Sequence, residues 1–316
     1  MNPLALLLGI VLSVTGPSAQ DPVSKPLVFD AAVENVYIDA FISQRGAPLT
    51  GLQAADFELR DNGVVQSLEM AASDTQPLLA VLAFDVSGSL DEEKLSALRA
   101  ASNALLETLR PEDEASLFAF ADEVRWLAEP TTDKQKVRQV LENLRPGGGT
   151  PIMDALYAAL TLPKSRGRSL IVLFTDGVDN LSWLDGGQVR LLAEKSNAVI
   201  HVVSLQPAPR ATVQAPRDDL KWRIYPAENT LALEFENAWM LRQIAEATGG
   251  HYWEAESLDR LKAAFAQIAE TMGKRYVLRY SPEGTTRPGW HKIELKLKGK
   301  KGDVRTRTGY WVADRK

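Results

Sequence analysis

Asp85-Val86-Ser87-Gly88-Ser89, Gly147-Gly148-Gly149-Thr150 and Thr175-Asp176-Gly177 are the segments of this 316-residue sequence whose residue types suit chemistry. They contribute Asp85, Ser87, Ser89, Thr150 and Asp176, all oxygen donors, with no nitrogen or sulfur among them. Hard donors of this kind suit Mg²⁺, which takes six oxygens near-octahedrally and tends to keep some waters. Mn²⁺ and Ca²⁺ share the preference. With only two carboxylates, such a site leaves the ion a residual positive charge. It would then favour an external carboxylate in an open position.

Other chemistries lose ground on composition. The chain has no cysteine, which eliminates thiol catalysis, disulfides, Cys-ligated zinc and iron–sulfur clusters. Its three histidines, His201, His251 and His291, form no HExxH pair, which argues against a zinc hydrolase. His201 and His251 fall in or beside strands and read as core or edge residues. The triple glycine lacks the Gly-Lys-Ser/Thr of a phosphate loop and better suits backbone that approaches an ion closely. Asp85 has no second acid two residues on, as a phosphatase nucleophile would want. Ser87 and Ser89 lack a GxSxG elbow and a placed histidine. Ser87 or Ser89 is expected to cap the helix that follows, with Asp91, Glu92 and Glu93 in its first turn, but capping leaves Thr150 and Asp176 unexplained. With no acid–base pair in view, the expectation is a non-enzymatic protein. The net charge of −5 disfavours a general nucleic-acid binder.

The elements that must position these donors are legible. Leu79–Phe84, Ala115–Ala121, Ser169–Phe174 and Ala198–Leu205 are apolar runs of the kind that form strands buried on both faces. Helical spacing links them: Leu95, Leu98, Ala101, Leu105 and Leu109 before Pro111, then helices over 134–144, 152–162, 187–196, 238–248 and 258–272. This alternation predicts an α/β fold with a doubly wound, mostly parallel sheet. Ligands bind beyond the carboxyl ends of such strands, where Asp85 and Asp176 fall.

Together, Asp85-x-Ser87-x-Ser89, Thr150 in a Gly-rich loop and Asp176-Gly177 after a buried strand resemble the metal-ion-dependent adhesion site of the von Willebrand factor type A domain. The resemblance covers residues 79–272 and fills every motif position. It implies direct hydroxyl ligation by Ser87 and Ser89, and Thr150 acting directly or through water. Asp85 and Asp176 would act mainly through water and hydrogen bonds. The flanks, from Gly46–Leu52 to Asp56-Phe57 and from Tyr276 to Tyr310, resemble the bacterial exported VWFA-related group.

Those flanks alternate polar and apolar residues, with a hairpin at Asp61-Asn62-Gly63. The predicted organisation is a signal peptide or anchor over 1–20, an N-terminal β unit over 27–75, the type A domain over 76–272, and C-terminal strands over 273–316 packing with the N-terminal unit. The apolar run Leu4–Leu12 is too short to cross a bilayer and reads as a signal-peptide core. Export to the periplasm or exterior follows, with membrane contact only through an uncleaved N-terminal segment. Residues 206–235 hold Pro207, Pro209, Pro216 and Pro226 with little periodicity, and read as a long loop on the metal face. The expected function is Mg²⁺-dependent capture of a protein partner's Asp or Glu carboxylate. The alternative is an envelope scaffold whose β appendage makes the main contacts.

Overall fold

The structure, a computed structural model, describes residues 35–71, 77–162, 168–205, 230–285 and 287–312. The leader expected over 1–20 and residues 206–229 of the long loop lie outside them.

The chain opens with β1 (Val36–Gln44), β2 (Ala47–Pro48), β3 (Phe57–Asp61), β4 (Val64–Gln66) and β5 (Glu69–Met70). The alternating part follows: β6 (Leu78–Asp85), α1 (Glu92–Glu107), β7 (Glu114–Phe120), β8 (Val124–Thr131), α2 (Lys134–Glu142), α3 (Ile152–Thr161) and β9 (Arg168–Thr175). It continues through α4 (Gly186–Lys195), β10 (Ala198–Ser204), α5 (Thr230–Ala247), β11 (Tyr252–Glu254) and α6 (Leu258–Gly273). The tail is β12 (Tyr276–Tyr280), β13 (Gly289–Leu297), β14 (Asp303–Thr306) and β15 (Gly309–Val312).

The central sheet has the order β11-β10-β9-β6-β7-β8, parallel except for β8, which runs antiparallel to β7. Every residue of β6 is buried. Its alternate side chains serve two cores, as the period-2 geometry of a strand requires. Leu78, Ala80, Leu82 and Phe84 join residues of α1, α2 and α6, while Leu79, Val81 and Ala83 join residues of α3, α4 and α5. The chain winds outward from β6 through β7 and β8, then returns to β6's other side with β9. The β6–β9 boundary is therefore the switch point, where a ligand crevice opens at the strand ends.

The flanks differ from the single small unit expected. They build two antiparallel sheets, β14-β1-β12-β5 with β2 on β1, and β15-β13-β3-β4. Their apolar faces share one core, with Ile38 and Ile42 from β1, Leu59 from β3, Leu278 from β12 and Ile293 from β13. N- and C-terminal strands interleave directly, β1 with β12 and β3 with β13. Asn62 (φ 48°) and Gly63 (φ 85°) form the two-residue turn between β3 and β4. The buried Arg307 ties the flank to the central layer, donating to Asn197 Oδ1 at 2.7 Å and Ser196 O at 3.0 Å beyond α4. Arg168 of β9 pairs with Asp39 of β1 at 2.9 Å.

Two helix expectations are corrected. α5 begins at Thr230, so residues 230–235 are helix and not loop. The N-cap of α1 is Asp91, whose carboxylate accepts from Lys94 N at 2.8 Å, so Ser87 and Ser89 are left for other work.

Candidate metal centre

Asp85 is the last residue of β6 and Thr175 the last of β9, one step past the Phe84–Phe174 register pair. That adjacency brings Thr175 Oγ1 within 2.6 Å of Asp85 Oδ2, to which it donates. Ser87 N donates to Asp85 Oδ1 at 3.0 Å. Asp85 is fully buried, and among the described residues no ammonium or guanidinium pairs with it. Burial pushes its carboxyl up to about 6, against the pull of the Thr175 and Ser87 hydrogen bonds. A buried carboxylate without a counter-charge is a position that favours a cation.

A chain of oxygens runs on from there. Ser87 Oγ and Ser89 Oγ are 2.9 Å apart, and Ser89 Oγ donates to Asp176 Oδ1 at 2.7 Å. Neighbouring ligands of an octahedral Mg²⁺ also lie about 2.9 Å apart, given Mg–O bonds of about 2.0–2.1 Å. Thr150 Oγ1 and Asp85 Oδ2 flank Gly177, at 3.4 and 3.7 Å from where a Cβ would stand. All five predicted donors thus converge on the switch point. Asp85, Ser87, Thr150 and Asp176 are buried, and Ser89 is exposed, opening the cluster to solvent. Among the described residues no group of three or more His, Cys, Asp or Glu gathers for a metal. The donor set is hydroxyl-rich with two carboxylates, and it fits a hard divalent cation.

Backbone bonds stitch the three loops together. Gly147 N donates to Val86 O at 2.8 Å, and Gly88 N to Gly148 O at 3.1 Å. Thr150 N donates to Asn180 Oδ1 at 2.9 Å, and Asn180 N returns a bond to Thr150 O at 3.2 Å. At Gly148 the packing itself requires glycine. Gly148 sits at φ 92°, and a Cβ there would lie 2.6 Å from Asp122 Cγ. The glycine makes room for Asp122, whose carboxylate accepts from Gly149 N at 2.9 Å. Asp179 holds the start of α3, accepting from Met153 N at 2.9 Å.

Two features escape sequence reading. Lys94, on the first turn of α1, reaches back to Asp176 Oδ2 at 2.8 Å and to Ser89 O at 2.9 Å. Its five-residue spacing from Ser89 was the only signal. The second is Asp61, read as a turn residue. It is fully buried and accepts from Tyr280, Tyr310 and Thr285, with His291 Nδ1 2.8 Å away. His291 is therefore structural. His201 is buried too, its Nδ1 accepting from His251 N at 3.0 Å.

Residues 80–178 match the family model of the von Willebrand factor type A domain. The chain carries a domain of that family. It is similar to the magnesium-chelatase 60 kDa subunit of Cereibacter sphaeroides, 32% identical over 128 residues, covering 39% of this chain and 23% of that one. A UPF0353 protein of Mycolicibacterium gilvum is 22% identical over 231 residues, covering 68% of this chain and 65% of its own. The chain thus spans from about a quarter to about two thirds of these relatives' lengths. Among solved structures, a von Willebrand factor type A protein from Catenulispora acidiphila matches 87% of this chain and 73% of its own, with TM-score 0.49 and 14% identity. Among the described residues no helix is long and apolar enough to cross a membrane.

Proposed function

We propose that Asp85, Ser87, Ser89, Thr150 and Asp176 hold Mg²⁺, or Mn²⁺ or Ca²⁺ in its place, and that the centre captures a carboxylate of a protein partner without catalysing a reaction. The observation that carries this reading is the convergence of three hydroxyls and two buried carboxylates, one of which, Asp85, has no cationic side chain paired with it among the described residues. Ser87 and Ser89 would ligate through Oγ, Thr150 directly or through water, and Asp85 and Asp176 through water. Bound there, a divalent ion supplies a Lewis-acidic position open to a carboxylate oxygen.

The protein's own residues do the rest. Thr175 fixes the Asp85 carboxylate, Lys94 and Ser89 fix that of Asp176, and Asn180 anchors Thr150. Residues 76–272 form the binding domain in this reading, with 27–75 and 273–316 as its flank. The apolar Leu4–Leu12 run supports export to the periplasm or exterior.

Titration calorimetry with Mg²⁺ and with Mn²⁺ tests the reading. The wild type is expected to bind one ion, and Ser87→Ala and Thr150→Ala to lose most of that affinity. Equal binding by the variants would contradict the ligand set.

A further inference from the structure

The Asp176 carboxylate is fully buried, yet its two oxygens have different partners. Oδ1 accepts from Ser89 Oγ at 2.7 Å, in line with the oxygens proposed as ligands. Oδ2 accepts from Lys94 Nζ at 2.8 Å. The ammonium is also fastened to Ser89 O at 2.9 Å, so it is held by both loops. Lys94 is only partly exposed, with 30% of its side chain accessible. Because it occupies Oδ2 and a backbone carbonyl, the ammonium makes no contact with Oδ1 or the serine hydroxyls, which bond among themselves.

We propose that Lys94 is a resident cation of this centre, weakening divalent-ion binding and leaving the loaded centre with a net positive charge that an anionic partner group must meet. This rests on the metal-site reading above. The charge count is short: Asp85 and Asp176 bring two negative charges, Lys94 returns one, and a dication raises the total to one positive. Without Lys94 the formal charge of the loaded centre would be zero, and only the ion's own residual positive charge would draw a carboxylate. The ammonium therefore trades ion affinity for anion selectivity. An ammonium fixed on the same carboxylate would repel a dication held there, and Coulomb repulsion of that kind is expected to weaken binding on the order of tenfold even at high effective dielectric.

The test is Mn²⁺ binding to the full chain by titration calorimetry, comparing wild type with Lys94→Met, Lys94→Gln and Lys94→Arg. Loss of the charge in the Met and Gln variants is expected to tighten Mn²⁺ binding on the order of tenfold. Lys94→Arg, which keeps the charge, should stay near wild type, a rescue that a purely structural role would not produce. Two neutral variants keep the test usable if one fails to fold. Unchanged or weaker binding in the folded neutral variants overturns the inference while the metal reading stands. No binding by wild type or any variant overturns the metal reading, and this inference with it.

Discussion

Thr175 Oγ1 donates to Asp85 Oδ2 at 2.6 Å, across the boundary where β9 returns to the side of β6. The bond joins two strands whose connection spans the whole of α1 to α3, and it fixes a carboxylate that has no cationic side chain beside it among the described residues. Thr175→Val keeps the shape and removes the donor. We expect it to cost about 1–3 kcal/mol, the penalty of a buried acceptor left without its partner. Urea denaturation of metal-free protein measures this. A loss below about 0.5 kcal/mol would mean that the bond contributes little.

The triple-glycine loop is constrained at Gly148. At φ 92°, with Asp122 Cγ 2.6 Å from the position of a Cβ, alanine meets both backbone strain and a clash. Gly148→Ala should destabilise the protein by about 1–3 kcal/mol and weaken Mn²⁺ binding, because this loop leads into Thr150. Gly147→Ala, where nothing lies within 4 Å, should keep its side chain clear of neighbours and pay only for φ 151°. Equal stability of the Gly148→Ala variant and wild type would show that the loop relaxes freely.

Much of this centre was legible in the sequence, because buried strands and the residues ending them are encoded locally. The run Leu79–Phe84 announces a strand covered on both faces, so Asp85 had to stand at its carboxyl end. The flanks were harder. Alternation showed strands between Val36 and Met70 and between Arg275 and Tyr310, but period-2 patterns do not say which strands pair. That β13 lies between β3 and β15 is a matter of tertiary packing. Lys94 and Asp61 were missed for a related reason: a lysine on a helix and an aspartate before Asn-Gly have ordinary local roles. Only the fold brings Lys94 to Asp176, or Tyr280, Tyr310 and His291 around Asp61.

Asp61 is the polar centre of the flank. Asp61→Ala removes the acceptor shared by Tyr280, Tyr310 and Thr285 in a buried setting, leaving Tyr310 its 3.2 Å contact with His291 Nδ1. The expected loss is about 1–3 kcal/mol, the penalty of a buried donor left without its acceptor. Denaturant titration followed by tryptophan fluorescence would show it. A loss under about 1 kcal/mol would place the stability of the flank in its apolar core alone.

Acid should destabilise the protein before ordinary carboxylates titrate. Burial holds His251 down to about 4 and His201 well below the usual 6.5, so both stay neutral in the folded state. The unfolded chain protonates them near 6.5, and their stabilisation is therefore full above that pH and lost as pH falls towards 4. Asp85, raised to about 6, has the opposite sign over the same window, since the folded state holds a proton that the unfolded chain releases. Two imidazoles against one carboxylate leave a net loss on acidification. The urea midpoint of metal-free protein should fall from pH 7.5 to pH 4.5; an unchanged or higher midpoint would contradict the assignment.

The central claim is that the oxygens around Asp85 hold a divalent cation. Thermal unfolding with and without millimolar Mg²⁺, for wild type and Asp85→Ala, tests it most directly. An ion bound only by the native state raises the melting temperature, and at about 100 times the dissociation constant the gain is about 2.7 kcal/mol, on the order of several degrees here. The account predicts that rise in wild type and its absence in Asp85→Ala. No rise in wild type, or an equal rise in the variant, would contradict it.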